Sequence, residues 1–207
     1  GAERAYHKAI ELQPGYAKPH NGLGFLYLEL GRLDDAKVAF ERAIAIDPQF
    51  PDALTNLSLA HTRTGDFAEA LPYAERAVAI QPKNPSYLLN LAIPAIRLGR
   101  TDQARATTAD LVQVAAGNAP AWCERTWALL LAPAQVSEAG NAAARAVELA
   151  KGSQMALAQL AAASAAVAAG DAEAARTHLR QFEECNQEVR EWEAAKVDDV
   201  RNWLQSR

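Results

Sequence analysis

Four histidines, His7, His20, His61 and His178, and two cysteines, Cys123 and Cys185, carry the most versatile chemistry in this chain. Imidazole and thiolate bind a metal only when three or four donors converge. They serve as nucleophile and base only when one lies within hydrogen-bond reach of the other. Their spacing in the sequence supplies neither arrangement. No pair of histidines has metal-ligand spacing, and the cysteines do not form a CxxC. The motifs GxSxG, HExxH and GxxxxGK[ST] are absent, and "NGLG" at Asn21 to Gly24 sits inside a helical pattern, where its glycines serve packing. Carboxylates are numerous but scattered over polar helix faces, their usual place. The expectation is a protein that is not an enzyme and holds no metal and no cofactor.

Charge and hydropathy exclude further classes. The formal net charge is -4 and the pI about 5.6, the wrong sign for a protein that follows a phosphate backbone, so no nucleic-acid partner is expected. The longest apolar stretch, Met155 to Ala169, is interrupted by Gln159 and Ser164 and is mostly alanine. A bilayer span needs roughly 18 consecutive apolar residues, so this reads as a closely packed helix and no membrane insertion is expected. If function is neither catalysis, nucleic-acid binding nor membrane insertion, it must reside in a protein surface, and the elements that build that surface come next.

Those elements repeat. "HKAIELQPGY", "ERAIAIDPQF" and "ERAVAIQPKN" begin at His7, Glu41 and Glu75, and Gly31, Gly65 and Gly99 recur at the same period. Ala36, Ala70 and Ala104 keep that period, as do Pro14, Pro48 and Pro82 and the small residues Gly24, Ser58, Ala92 and Thr126. Between them lie helical patterns of about 14 residues. A glycine that ends one helix in a left-handed conformation, followed by a proline that stops the next, punctuates a helix-turn-helix unit. Asp34, Asp66 and Asp102 stand where a second helix begins and suit capping and the helix dipole.

At these residues the chain resembles the tetratricopeptide repeat family, whose 34-residue unit has the same anchors. With Ala17 as position 1, the first repeat matches at Leu23, Gly24, Tyr27, Ala36, Phe40, Ala43 and Pro48. The second keeps Leu57, Ser58, Ala70, Ala77 and Pro82, with His61 at the usual tyrosine position as an interhelical packing residue. The third has Thr108 and Ala116 in place of the aromatic and the proline. The fourth has the expected tryptophan at Trp122 and needs one extra turn residue to place Ala139, Ala143 and Ala146. A degenerate fifth pair follows over Gly170 to Phe182. The resemblance implies an all-α, right-handed superhelical solenoid of antiparallel helix pairs. Residues 1–16 form the second half of a truncated repeat, 17–186 an array of four to five repeats with the last two degenerate, and 187–207 a capping helix. In that helix Val189, Trp192, Val200 and Trp203 share one face, while Glu188, Glu191 and Asp198 mostly point away.

The resemblance also implies where binding occurs: the first helix of each repeat lines a concave groove, mainly through positions 2, 5, 6, 9, 12 and 13. Position 9 carries Phe25, Leu59, Ile93 and Trp127, an apolar ladder, and Leu28 and Leu130 extend it at position 12. Asn21, Asn56 and Asn90 add amides, and Arg63 and Arg97 add guanidinium groups at position 13. Rings and aliphatic chains would hold the apolar face of an amphipathic or extended peptide, asparagines its backbone, and arginines a carboxylate. The family's carboxylate clamp for acidic tails is not expected, because of Asn21, Phe25, Asn56, Ser86 and Asn90 only Asn56 matches it. Pro94 is expected to kink its helix and free the carbonyl of Asn90.

The function implied is a protein-protein interaction scaffold that binds a peptide or helical segment of a partner. The alternative is a regulatory or spacer array fused to a catalytic domain lying outside this sequence. The cysteine usage makes a reducing, cytoplasmic compartment the default. Because the chain opens in mid-repeat the native start is expected upstream, which leaves the periplasm open. A half repeat whose Tyr6 and Ala9 face lacks its natural cover leaves self-association open as well. The alanine-rich, arginine-over-lysine composition points to a bacterial source.

Overall fold

The computed structural model describes residues 1–152, 154–185 and 191–206. Those residues form twelve α-helices in sequential antiparallel pairs and one short 3-10 turn. They divide into two compact units, Gly1–Leu98 and Gly99–Arg207.

The first unit holds α1 (Ala2–Leu12), α2 (Ala17–Glu29), α3 (Leu33–Ile46), α4 (Pro51–Arg63), α5 (Phe67–Ile80) and α6 (Pro85–Arg97). Each helix packs against the next, and α4 also touches α2 and α6. The turns close as the glycine spacing predicts. Gly31 and Gly65 have φ of 72° and 82°, Gly31 N–H bonds Leu28 O, and Arg32 N–H bonds Tyr27 O at 2.9 Å. This double bond satisfies the last carbonyls of α2, and the conformation favours glycine. The three aspartates do not cap. Asp34 and Asp102 lie in the first turns of α3 and of the helix that opens the second unit, where they oppose the helix dipole. Asp66 takes the cap position of α5, but its carboxylate is engaged by Thr64 Oγ1 at 2.7 Å and Lys37 Nζ at 3.1 Å.

Leu23, Leu57 and Leu91 are buried in the wedge between helices, and Phe40, fully buried, lies against Gly24. A Cβ on Gly24 would stand 2.6 Å from the Phe40 ring, so position 8 must be glycine in the repeat that keeps its aromatic. The face of Tyr6 and Ala9, expected to lack its natural cover, is half-buried, and α1 has no fully buried residue. The Tyr6 ring lies directly over Gly22 of α2, and Tyr6 and Ile10 pack on the Leu23–Tyr27–Phe40 core. α6 runs through the buried Pro94 to Arg97 without a break.

The second unit holds α7 (Thr101–Val114), α8 (Ala119–Leu130), the 3-10 turn Pro133–Gln135, α9 (Val136–Leu149), α10 (Gln154–Ala169), α11 (Ala172–Glu184) and α12 (Glu191–Gln205). The 3-10 turn absorbs the extra residue expected between the helices of the fourth repeat. α10 is buried nearly all round through its alanines, packed by α8, α9, α11 and α12. α12 covers α10 and α11 with Val197 and Val200, and Arg201 reaches Glu183 at 2.7 Å. Asp198 points to solvent as expected and Trp203 is half-buried. Glu188 and Val189, and the side chains of Glu191 and Trp192, lie outside the described residues.

Candidate functional site

The first helices of the three repeats in the first unit, α2, α4 and α6, are tied by side chains at one constant offset. Asn56 Nδ2 donates to Asn21 Oδ1 at 3.0 Å, Arg63 Nη1 to Leu28 O at 3.2 Å, and Tyr87 Oη to Asp52 Oδ1 at 2.5 Å. Each pair is 35 residues apart, one repeat plus one. A side chain at a given position therefore meets the residue one position lower in the preceding repeat. The ties rest on tilted, adjacent parallel helices, and they fix the spacing and polarity of the face.

A cleft of about 450 Å³ opens across this face, lined by Asn21, Gly22, Phe25, Asp52, Thr55, Asn56, Ser86, Tyr87 and Asn90. One end is apolar: Phe25 is 50% exposed, an unusual state for a phenyl ring, with Leu59 and Ile93 half-buried further along the same row. The middle is a row of amides. Asp52 supplies the one charged side chain among these lining residues. Its partner Tyr87 is buried, and desolvation together with the Asp52 carboxylate pushes the phenol up to about 12, so it stays a proton donor and holds Asp52 in place.

Of the sequence-predicted groove residues, Asn21, Phe25, Asn56 and Asn90 line this cleft. Leu28 does not: it is 1% exposed and belongs to the core around Leu23 and Phe40, because position 12 of α2 faces inward. Trp127 is 4% exposed, and Leu130 packs on Leu129, Ala139 and Ala142; both lie in the second unit and are packing residues there. Leu59 and Ile93 do not line it either: both are half-buried beside it, and Leu59 rests its inner side on the same core. The arginines are engaged within the unit: Arg63 reaches the α2 carbonyl of Leu28, and the Arg97 guanidinium stands 5.1 Å over the Phe67 ring. Gly22, Asp52, Thr55 and Tyr87 were not singled out from sequence. Asp52 and Thr55 occupy positions 2 and 5, so the repeat frame pointed to them, but Tyr87 at position 3 became visible only through its 35-residue tie.

Other chemistry-bearing residues are accounted for by packing. His61 stacks on Tyr73 with centroids 6.0 Å apart and planes 4° apart, as its place in the repeat suggested. Cys123 is buried, and desolvation raises its thiol far above the range in which a thiolate nucleophile forms. Among the described residues no group of three His, Cys, Asp or Glu side chains converges on a metal position. No helix among them is long and apolar enough to cross a membrane. In the second unit a cleft of about 810 Å³ runs between α9 and α11 over α10, walled largely by alanines, with His178 at its side bonded to the buried Gln159 at 2.7 Å.

Sequence profiles of the tetratricopeptide repeat match residues 1–49 and 21–85, 61–122 and 156–181. No curated protein matches the chain. Among solved structures it is similar to YrrB, described as a TPR protein with an unusual peptide-binding site, at 18% identity and a TM-score of 0.72 over 98% of this chain and 100% of that one. It is also similar to a thermophilic TPR protein of Thermus thermophilus, at 23% identity and a TM-score of 0.66 over 92% of this chain and 97% of the other. For PilF of Pseudomonas aeruginosa the values are 19% and 0.68, over 92% and 87%. At these identities the likeness is one of fold.

Proposed function

The chain belongs to the tetratricopeptide repeat family, and from that premise we propose that the cleft across α2, α4 and α6 binds a segment of a partner protein. The observation that carries the reading is the juxtaposition, on one pre-tied face, of a half-exposed phenyl ring with a row of asparagine amides. An apolar seat supplies area, and amides offer both donors and acceptors to a peptide main chain. The ties between α2, α4 and α6 mean little ordering is required when a segment binds, which favours affinity. YrrB, similar in fold, is described with a peptide-binding site, which supports the reading. The side chains the cleft presents, a phenyl ring, amides and one carboxylate, are those of recognition.

The test uses random 12-residue peptides displayed against the protein. Peptides are expected to be selected that bind the wild type and lose binding to a Phe25→Ser variant whose circular dichroism and melting show it folded. Selected peptides that bind the folded Phe25→Ser variant unchanged would place recognition elsewhere and overturn the reading.

A further inference from the structure

The 35-residue rule has a missing rung. By the offset that pairs Asn56 with Asn21, Asn90 stands opposite Thr55. That bond is not made. Asn90 Nδ2 turns back to donate to Ser86 O at 2.8 Å, and Thr55 Oγ1 has no partner although Thr55 is only 6% exposed. A buried hydroxyl left unpaired costs free energy that a bound group could return. Both residues line the cleft.

The groups around this open rung are nearly all acceptors. With Asn90 Nδ2 committed to Ser86 O, its Oδ1 faces the other way. Asp52, one turn away on α4, has Oδ1 taken by Tyr87 and Oδ2 left over. Thr55 can accept as well. A hydroxyl, an amide oxygen and a carboxylate oxygen call for a ligand group with several N–H donors and a positive charge, and no lysine or arginine stands among the lining residues to supply one. The net charge of -4 favours approach of a basic segment.

We propose that the open rung formed by Thr55 and Asn90, with Asp52 beside it, seats the guanidinium or ammonium group of an arginine or lysine on the partner segment, while the Phe25 row takes an apolar neighbour. This deepens the peptide-binding reading and rests on it. The partner is thus a basic-apolar segment, the opposite of the acidic tail a carboxylate clamp would take.

The experiment starts from the selected 12-residue peptides. Each is resynthesised with its basic residue replaced by citrulline or norleucine, which keep the length and remove the charge, and titrated by fluorescence anisotropy against wild type, Asp52→Asn, Asp52→Glu and Thr55→Val. The selected sequences are expected to share an arginine or lysine beside an apolar residue. Neutralising that residue, or Asp52→Asn, should each weaken binding about tenfold, with little added when both are changed, as for one shared charge-assisted contact. Asp52→Glu should restore most of the affinity and Thr55→Val should weaken it. Peptides that depend on Phe25 yet lack a basic residue, or bind folded Asp52→Asn as tightly as wild type, would overturn the basic seat and leave the groove reading standing. If no selected peptide depends on Phe25, both fall together.

Discussion

The two units carry clefts of opposite character. That of the first unit is the smaller, about 450 Å³, and is walled by asparagines, a threonine, an aspartate and an exposed phenyl ring. That of the second is about 810 Å³ and is walled largely by Ala143, Ala144, Ala162, Ala165, Ala166 and Ala169. The same helix-pair architecture builds both, so architecture alone does not make a recognition site. Long polar side chains that tie one helix to the next give the first cleft a direction and a donor-acceptor pattern. Alanines give the second area without direction, because a methyl group neither orients a ligand nor discriminates between ligands.

The largest expected effect tests whether the row of Leu59 and Ile93 is surface while the row two positions earlier is core. Leu57→Ala should cost about 2 to 5 kcal/mol, as for a fully buried leucine, and Leu91→Ala a similar amount. Leu59→Gln/Ile93→Gln should shift the urea midpoint less than either. Equal shifts would make the row core and remove the apolar seat. Next, Gly24→Ala should destabilise by about 1 to 3 kcal/mol, since its Cβ would meet the Phe40 ring, itself fully buried and unable to move aside. A melt unchanged by that substitution would break the account of position 8.

Two smaller effects sharpen the contrast between the clefts. Ala144→Leu, on the exposed wall of the alanine cleft, should be neutral or stabilise by up to about 1 kcal/mol, while Ala92→Leu in the buried wedge of the first unit should destabilise. Tyr87 gives a signature in pH. Its folded pKa, about 12, is raised above the ordinary 10.0, so its contribution is complete below pH 10 and is lost as pH climbs toward 12. Wild type should therefore lose stability relative to Tyr87→Phe across that window, and parallel curves would show that the Tyr87–Asp52 tie contributes nothing.

Much of the fold was legible in the chain. Gly31, Gly65 and Gly99 take the positive φ that their spacing predicts, and helices begin and end where the repeat frame puts them, because turn chemistry is local. The aspartate caps were misread for the converse reason. Asp66 stands at a helix start, but the hydroxyl of Thr64 in the same turn and Lys37 from α3 take its carboxylate. Hence composition predicted a role that competition reassigned. The face of Tyr6 looked bare from sequence because its cover, Gly22, is recognisable only by what it lacks.

For the site, the sequence by itself determined the row: position 9 is apolar in every repeat, and asparagines recur beside it, because a periodic helix must repeat its faces. Which members of the row meet solvent was decided by tertiary structure. Phe25 is half exposed, whereas Trp127 at the same repeat position is buried, because exposure depends on what packs around each helix and not on the period. The tertiary structure also decided that Asn56 bonds Asn21 while Asn90 leaves Thr55 alone. The two asparagines hold equivalent places in sequence. A hydrogen bond a few ångströms long is made or missed on the lateral offset and side-chain rotamer of neighbouring helices, and no single repeat encodes either quantity.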